Sequence, residues 1–357
     1  MAKDLDSSFL VYLISAVQFG FIIGTLFFAL LAIADRFSPS LVFFISSLLA
    51  AFFNGLITLE SINGNGILVC RFLTGFFLAG IYPVGMKIAA DYFEKGLGKS
   101  LGFLVGALVL GKSLPHLINS LSISQSWEMI IYATSALSMI GGFILFVGVK
   151  DGPYRKKLGN INFAALGKLI QTPALRQSAF GYFGHMWELY TFWTFVPLLL
   201  TQKLNHPNYH YSFLSFVIIG SGALACFISG LLSTTLRTRS IALVAVSISG
   251  SCCLFFPLVF LYGSNEFYII YLIIWGVFVV ADSPMFSSLV AANAPAELRG
   301  STLTIVNCIG FFITILSIQV MGQLLQYFSF YWVWTILAIG PVFAVLQLVN
   351  PSNKLKL

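Results

Sequence analysis

Charge is what this sequence has least of. Only 9% of its 357 residues are Asp, Glu, Lys or Arg, against about 25% in an ordinary soluble domain. So few charges cannot cover the surface of a water-soluble fold. A disordered chain is excluded as well, since it stays solvated through charge and low hydropathy. Histidine is scarce, at four residues. The five cysteines (Cys70, Cys226, Cys252, Cys253 and Cys308) all lie within apolar stretches. They read as small buried thiols, not as a disulfide framework. What is abundant is apolar: 58% hydrophobic residues, 36 Phe and a mean hydropathy of +0.93. This is the composition of a polytopic membrane protein. The net charge of +7 then reads as topology and not as a nucleic-acid footprint.

A bilayer core takes roughly 20 apolar residues per helix. Scanning on that basis predicts eleven spans, at 9–34, 41–59, 67–90, 100–119, 127–149, 178–200, 212–236, 241–262, 267–291, 302–325 and 331–349. The runs are too long, and alternate too little, for membrane strands. Residues 150–177 form the longest interruption and carry Lys150, Arg155, Lys156, Lys157, Lys168 and Arg176. They divide the chain into an N-terminal bundle of five spans (1–149), a cytoplasmic linker with a short surface helix near 163–170, and a C-terminal bundle of six spans (178–357). With the linker inside, Arg36, Lys95, Lys99, Arg237, Arg239, Arg299, Lys354 and Lys356 are inside too. Only Lys3 and Lys203 fall outside, the bias expected of cytoplasmic loops. The C-terminus is then cytoplasmic and the N-terminus external.

Two stretches mirror each other across the linker. Pro83 is followed by Asp91 and Glu94-Lys95-Gly96-Leu97-Gly98-Lys99-Ser100. Pro284 is followed by Glu297-Leu298-Arg299-Gly300-Ser301 at nearly the same distance. Matching features in two halves suggest the internal duplication common in secondary transporters. At this point the residues resemble the major facilitator superfamily. Asp35-Arg36 resembles the core of its loop signature, Arg71-Phe72-Leu73-Thr74-Gly75 its Arg-x-x-x-Gly helix, and Pro295-Ala296-Glu297-Leu298-Arg299-Gly300 a loop of its second half. Gly181-Tyr182-Phe183-Gly184-His185-Met186-Trp187-Glu188-Leu189-Tyr190 and Ala281-Asp282-Ser283-Pro284 are similar to a bacterial branch of cyanate- and nitrate-permease-like proteins. The loop signature departs from the family pattern: Leu31 stands where Gly is usual, and Ser38-Pro39-Ser40 where it ends in Gly and basic residues. Asp35-Arg36 also follows the first span instead of the second. The resemblance therefore implies an all-α, two-bundle transporter fold in which the family's first helix is absent, through a start assigned too far downstream or a real truncation.

Ionisable groups inside spans are costly and are functional candidates by default. Glu188 and Asp282 are the two acids there, each roughly 13–15 Å from the inner end of its span by helical rise. They read as proton- or substrate-binding carboxylates, or as groups tied to a helix break at Pro284 or Pro197. His185 stands three residues before Glu188 on the same helical face and reads as Glu188-linked or lumen-facing; a metal site would need further ligands. Arg71 and Lys112 are candidates for binding an anion, with His116 one turn after Lys112; snorkelling of Arg71 and a structural salt bridge for Lys112 are the alternatives. Asp35, Arg36, Lys87 and Asp91 form an expected cytoplasmic gating network. Among the aromatics, Trp187, Tyr190, Trp193 and Phe195 are candidate cavity walls. Tyr327, Phe328, Phe330, Tyr331, Trp332 and Trp334 read as an outer interfacial belt.

The expectation is thus a monomeric secondary transporter of the bacterial inner membrane. It moves a small polar solute, an anion among the options, by alternating access, with proton coupling as one option. No cofactor, metal or nucleic-acid partner is expected, and no soluble domain is available to hold a nucleotide for ATP coupling. The rival readings are a truncated, transport-incompetent remnant and an integral-membrane enzyme, the latter lacking a catalytic cluster.

Overall fold

The computed structural model describes residues 7–93, 97–121, 126–155, 162–205 and 209–349, and all regular structure among them is helical. Lys3, Lys95, Lys156, Lys157, His206, Lys354 and Lys356 lie outside the described residues, as do both termini. In the first half, α1 (Ser7–Leu30) is followed by a single turn, α2 (Ile33–Arg36), then α3 (Pro39–Leu56), α4 (Gly64–Leu78), α5 (Tyr82–Tyr92), α6 (Leu97–Leu121) and α7 (Trp127–Gly148). The short α8 (Ala164–Gln171) precedes α9 (Pro173–Leu204), α10 (Tyr211–Leu232), α11 (Thr238–Tyr262), α12 (Asn265–Ala281) and α13 (Ser283–Asn293). The chain closes with α14 (Arg299–Tyr327), α15 (Phe330–Val333) and α16 (Ile339–Val349).

Local chemistry sets several of these boundaries. Ala32 takes a left-handed conformation (φ 48°), which ends α1 and turns the chain through α2. Pro39 then opens α3 at a first-turn position where no N–H is lost. The Asn63 side chain accepts from the Gly66 N–H at 2.9 Å and caps α4. Two spans are each built from two helices. Gly64–Tyr92 breaks at 79–81 between α4 and α5, and Asn265–Asn293 breaks at Asp282 between α12 and α13. Pro83 and Pro284 occupy the same place, one residue inside the second helix of each pair. The sequence repeat is therefore a structural repeat, with Ile81 and Asp282 at equivalent break points.

Ten helices or broken helices among the described residues are long and apolar enough to cross a membrane. The eleventh expected span falls within α9, which at 32 residues runs roughly 48 Å. It is not among those ten because Gln177, His185 and Glu188 dilute its apolarity. All three are buried against other helices and not against lipid. Phe143, Ile144 and Val147 on α7, and Leu254, Phe255 and Leu258 on α11, instead present exposed apolar surface, as a lipid-facing helix must.

Helices of the first half pack through small residues. A side chain on Gly75 would meet the Val17 carbonyl at 1.9 Å, and one on Gly20 the Phe72 carbonyl at 1.9 Å, so α1 and α4 touch backbone to backbone. In the second half α9 packs on α14 and α16, with Gly184 against Gly340. The two halves meet along α6–α10 and α1–α14. Gly102 and Gly230 face each other at the first of these seams. At the second, Thr314 Oγ1 donates to Gln18 Oε1 at 2.6 Å and Gln319 Nε2 to Ser15 Oγ at 2.8 Å. The aromatic belt is only partly as expected: Tyr327, Phe328 and Trp332 are exposed, but Trp334 is fully buried against Phe195. Phe195 is accordingly core and not cavity wall.

Candidate functional site

Between the halves lies a cleft of about 310 Å³, open mouth included. Tyr82 of α5, Val105 and Leu108 of α6, and Phe311 of α14 wall it from three helices. Tyr182, Met186, Leu189, Tyr190 and Trp193 come from α9, and Val280 and Ser283 from the α12–α13 break. Tyr82 and Ser283 are the first residues of α5 and α13, so both repeat breaks open onto the same space. A helix break exposes polar backbone and is tolerated at membrane depth where it lines a cavity. Tyr190 and Trp193 are wall residues as the sequence predicts, whereas Trp187 is not among those lining the cleft.

Lys112 projects from α6 over the Tyr190 ring of α9, with Nζ 5.6 Å from the centroid. This cation–π contact bridges the two halves, and the lysine remains solvent-accessible. Arg71 and His116 are both within electrostatic reach of Lys112. Arg71 is tied to α3 of its own half. Its Nη1 donates to Asn54 Oδ1 at 2.7 Å, and Asn54 Nδ2 in turn donates to Ser135 Oγ at 3.0 Å. Among the described residues no carboxylate pairs with Arg71 or Lys112. Gly106, Gly111, Lys112 and Ser113 do match the letters of a nucleotide-binding loop. They lie within continuous α6, however, and its N–H groups are spent in the helix, so they cannot cradle phosphate.

The buried acids are arranged differently from the sequence reading. His185 does not join Glu188: its Nδ1 lies 2.9 Å from Asp282 Oδ1 across α9 and the α12–α13 break, both side chains being buried. Glu188 turns the other way, into α11 and α12. It accepts from Trp275 Nε1 at 2.7 Å, Ser249 Oγ at 3.0 Å and Cys253 Sγ at 3.2 Å. Glu188 is thereby saturated inside the second half and does not line the cleft. Ser249, Cys253 and Trp275 carry no signal in the sequence beyond their apolar surroundings.

At the end of the first half where α2 and α5 meet, Lys87 Nζ lies 2.9 Å from Asp35 Oδ1 and 3.7 Å from Asp91 Oδ2. Arg36 is a correction: it is exposed and pairs with no acid among the described residues. Arg155, which the sequence reading treated only as a linker charge, joins the network instead. Its Nη2 donates to the Phe37 carbonyl at 2.8 Å, and it pairs with Asp151, which accepts from Ser38 Oγ at 2.8 Å. The Tyr154 N–H donates to the Asp91 carbonyl at 3.0 Å. The start of the linker thus straps the α2–α3 turn to the end of α5. All these contacts lie within the first half and the linker residues 151–155 that follow it.

The profile of the Major Facilitator Superfamily matches residues 1–318 of this sequence. The chain belongs to that superfamily. No curated protein sequence matches it. Among solved structures, it is similar to the human organic anion transporter MFSD10 (TETRAN), with a TM-score of 0.71 at 13% identity, over 96% of this chain and 83% of that one. At that identity the likeness concerns the fold. As a major-facilitator protein the chain is a multi-pass secondary transporter and not an enzyme, and the cleft lies between its two halves.

Proposed function

We propose that this major-facilitator transporter carries a small polar anion by alternating access, and that Lys112 and Arg71 attract it. One observation carries this reading: two cations stand within electrostatic reach of each other beside the cleft, and among the described residues no carboxylate pairs with either. Uncompensated charge at membrane depth is expensive, and an anionic solute supplies the missing partner. The fold likeness to a transporter of organic anions agrees with it. The protein acts as a monomer in a bacterial inner membrane with its C-terminus cytoplasmic, and a proton accompanies the solute through the His185–Asp282 pair at the α12–α13 break.

The test is thermal unfolding of purified protein against a panel of small carboxylates and sulfonates, with their neutral amides as controls. Stabilisation by some anions and by no amide is expected, and Lys112→Gln and Arg71→Gln should each abolish it. Equal stabilisation by the amides, or unchanged anion response in both variants, would overturn the reading.

A further inference from the structure

The cleft carries more donors than a simple anion needs. The hydroxyls of Tyr82, Tyr182 and Tyr190 have no hydrogen-bond partner among the described residues, and they lie within electrostatic reach of one another. Trp193 adds an indole Nε1 that is buried and likewise unpartnered. A buried donor without a partner costs free energy, and native structures rarely leave one without a reason. Here that donor is the Trp193 indole, and Tyr82, Tyr182 and Tyr190 line the same space beside it.

The walls are flat as well as polar. Tyr190 packs at 5.2 Å on both Trp193 and Phe311, which makes one corner of the cleft entirely aromatic. Rings prefer rings in offset or edge-on contact, beyond what area alone provides. Lys112 Nζ, 5.6 Å from the Tyr190 centroid, sets a cation beside that corner.

We infer that the solute is an aromatic organic acid. Its ring stacks in the Tyr190–Trp193–Phe311 corner, its acceptor substituents receive hydrogen bonds from the tyrosine hydroxyls and the indole, and its anionic group meets Lys112. This rests on the anion reading above and narrows it from any small anion to one class. The alternative class, an aliphatic anion such as a dicarboxylate, would use Lys112 and Arg71 but leave the aromatic corner idle.

Four probes separate the readings: 4-hydroxybenzoate, cyclohexanecarboxylate, succinate and 4-hydroxybenzamide, each titrated into the purified protein while tryptophan fluorescence and unfolding temperature are followed. Binding of 4-hydroxybenzoate about tenfold tighter than its saturated counterpart is expected. Tyr190→Phe keeps the ring and removes the hydroxyl; it should weaken 4-hydroxybenzoate several-fold while leaving the unfolding temperature of the free protein near wild type. Preference for succinate, or parity between the aromatic and saturated acids, would sink the aromatic class and leave the anion reading standing. Equal binding of 4-hydroxybenzamide, unaffected by Lys112→Gln, would remove the anion reading itself. Binding of none of the four would overturn the inference.

Discussion

His185 Nδ1 lies 2.9 Å from Asp282 Oδ1, and both side chains are only 1% exposed. The contact joins α9 to the break between α12 and α13, one residue from the cleft-lining Ser283. His185 Nε2 has no hydrogen-bond partner among the described residues. The groups facing the pair are few: Glu188 farther along α9, Cys226 of α10 and Tyr182 one turn back on α9. A change of proton number at this contact would therefore be felt at the helix break and at the cleft wall together.

If that pair couples transport to protons, Asp282→Asn should abolish accumulation driven by a pH gradient in proteoliposomes while sparing downhill exchange. The amide keeps the shape and an acceptor but cannot take up the proton. Gradient-driven accumulation at the wild-type level would remove the pair from coupling.

Glu188→Gln should behave in the opposite way. Its three donors belong to the second half, so the loss of charge-assisted bonds lowers stability, by about 1–3 kcal/mol, without touching the cleft. Reduced unfolding temperature with near-normal exchange is expected. Normal stability with lost exchange would show that Glu188 acts on the solute or the proton.

The charge network at α2 and α5 predicts a pattern among substitutions. Lys87→Met strips Asp35 and Asp91 of their shared cation, and Asp35→Asn leaves Lys87 only the longer contact to Asp91, at a cost on the order of 1–3 kcal/mol. Arg155→Ala releases the strap on the Phe37 carbonyl. All three should change labelling of cysteine probes placed at that end of the cleft, because a few kcal/mol shift a two-state population strongly. Arg36→Ala should leave labelling unchanged. Equal effects from Arg36→Ala and Arg155→Ala would show that the contacts seen here do not govern the opening.

The seam between halves offers a steric test. A side chain on Gly102 would come within 2.7 Å of both the Cys226 carbonyl and Gly230 Cα, so Gly102→Val must part α6 from α10. Increased thiol labelling of the native Cys226, buried at this seam, is expected, with helical content retained. Gly111→Val on the same helix has open space around it and serves as the control.

Much of this was legible in the sequence. Low charge and long apolar runs identify a membrane protein, and the spans fall within a few residues of the helices found. Pro83 and Pro284 mark the repeat because a ring without an N–H is tolerated in the first turn of a new helix. Glu188 and Asp282 are conspicuous because a carboxylate in hydrocarbon is rare. The partnerships were less legible. His185 and Glu188 share a face by spacing, yet one meets Asp282 and the other meets Trp275.

What the sequence determined by itself is everything that depends on a residue's neighbours along the chain: the membrane class, where helices start and break, and which polar groups are buried at depth. What only the tertiary structure decided is which of those groups meet. That depends on how each helix is rotated about its own axis and on which helix lies against it. Close approaches such as Gly75 on Val17 and Gly102 on Gly230 set those rotations across tens or hundreds of residues. Hence Arg155 could take the place expected of Arg36, and Glu188 could turn away from the cleft that Lys112 overlooks.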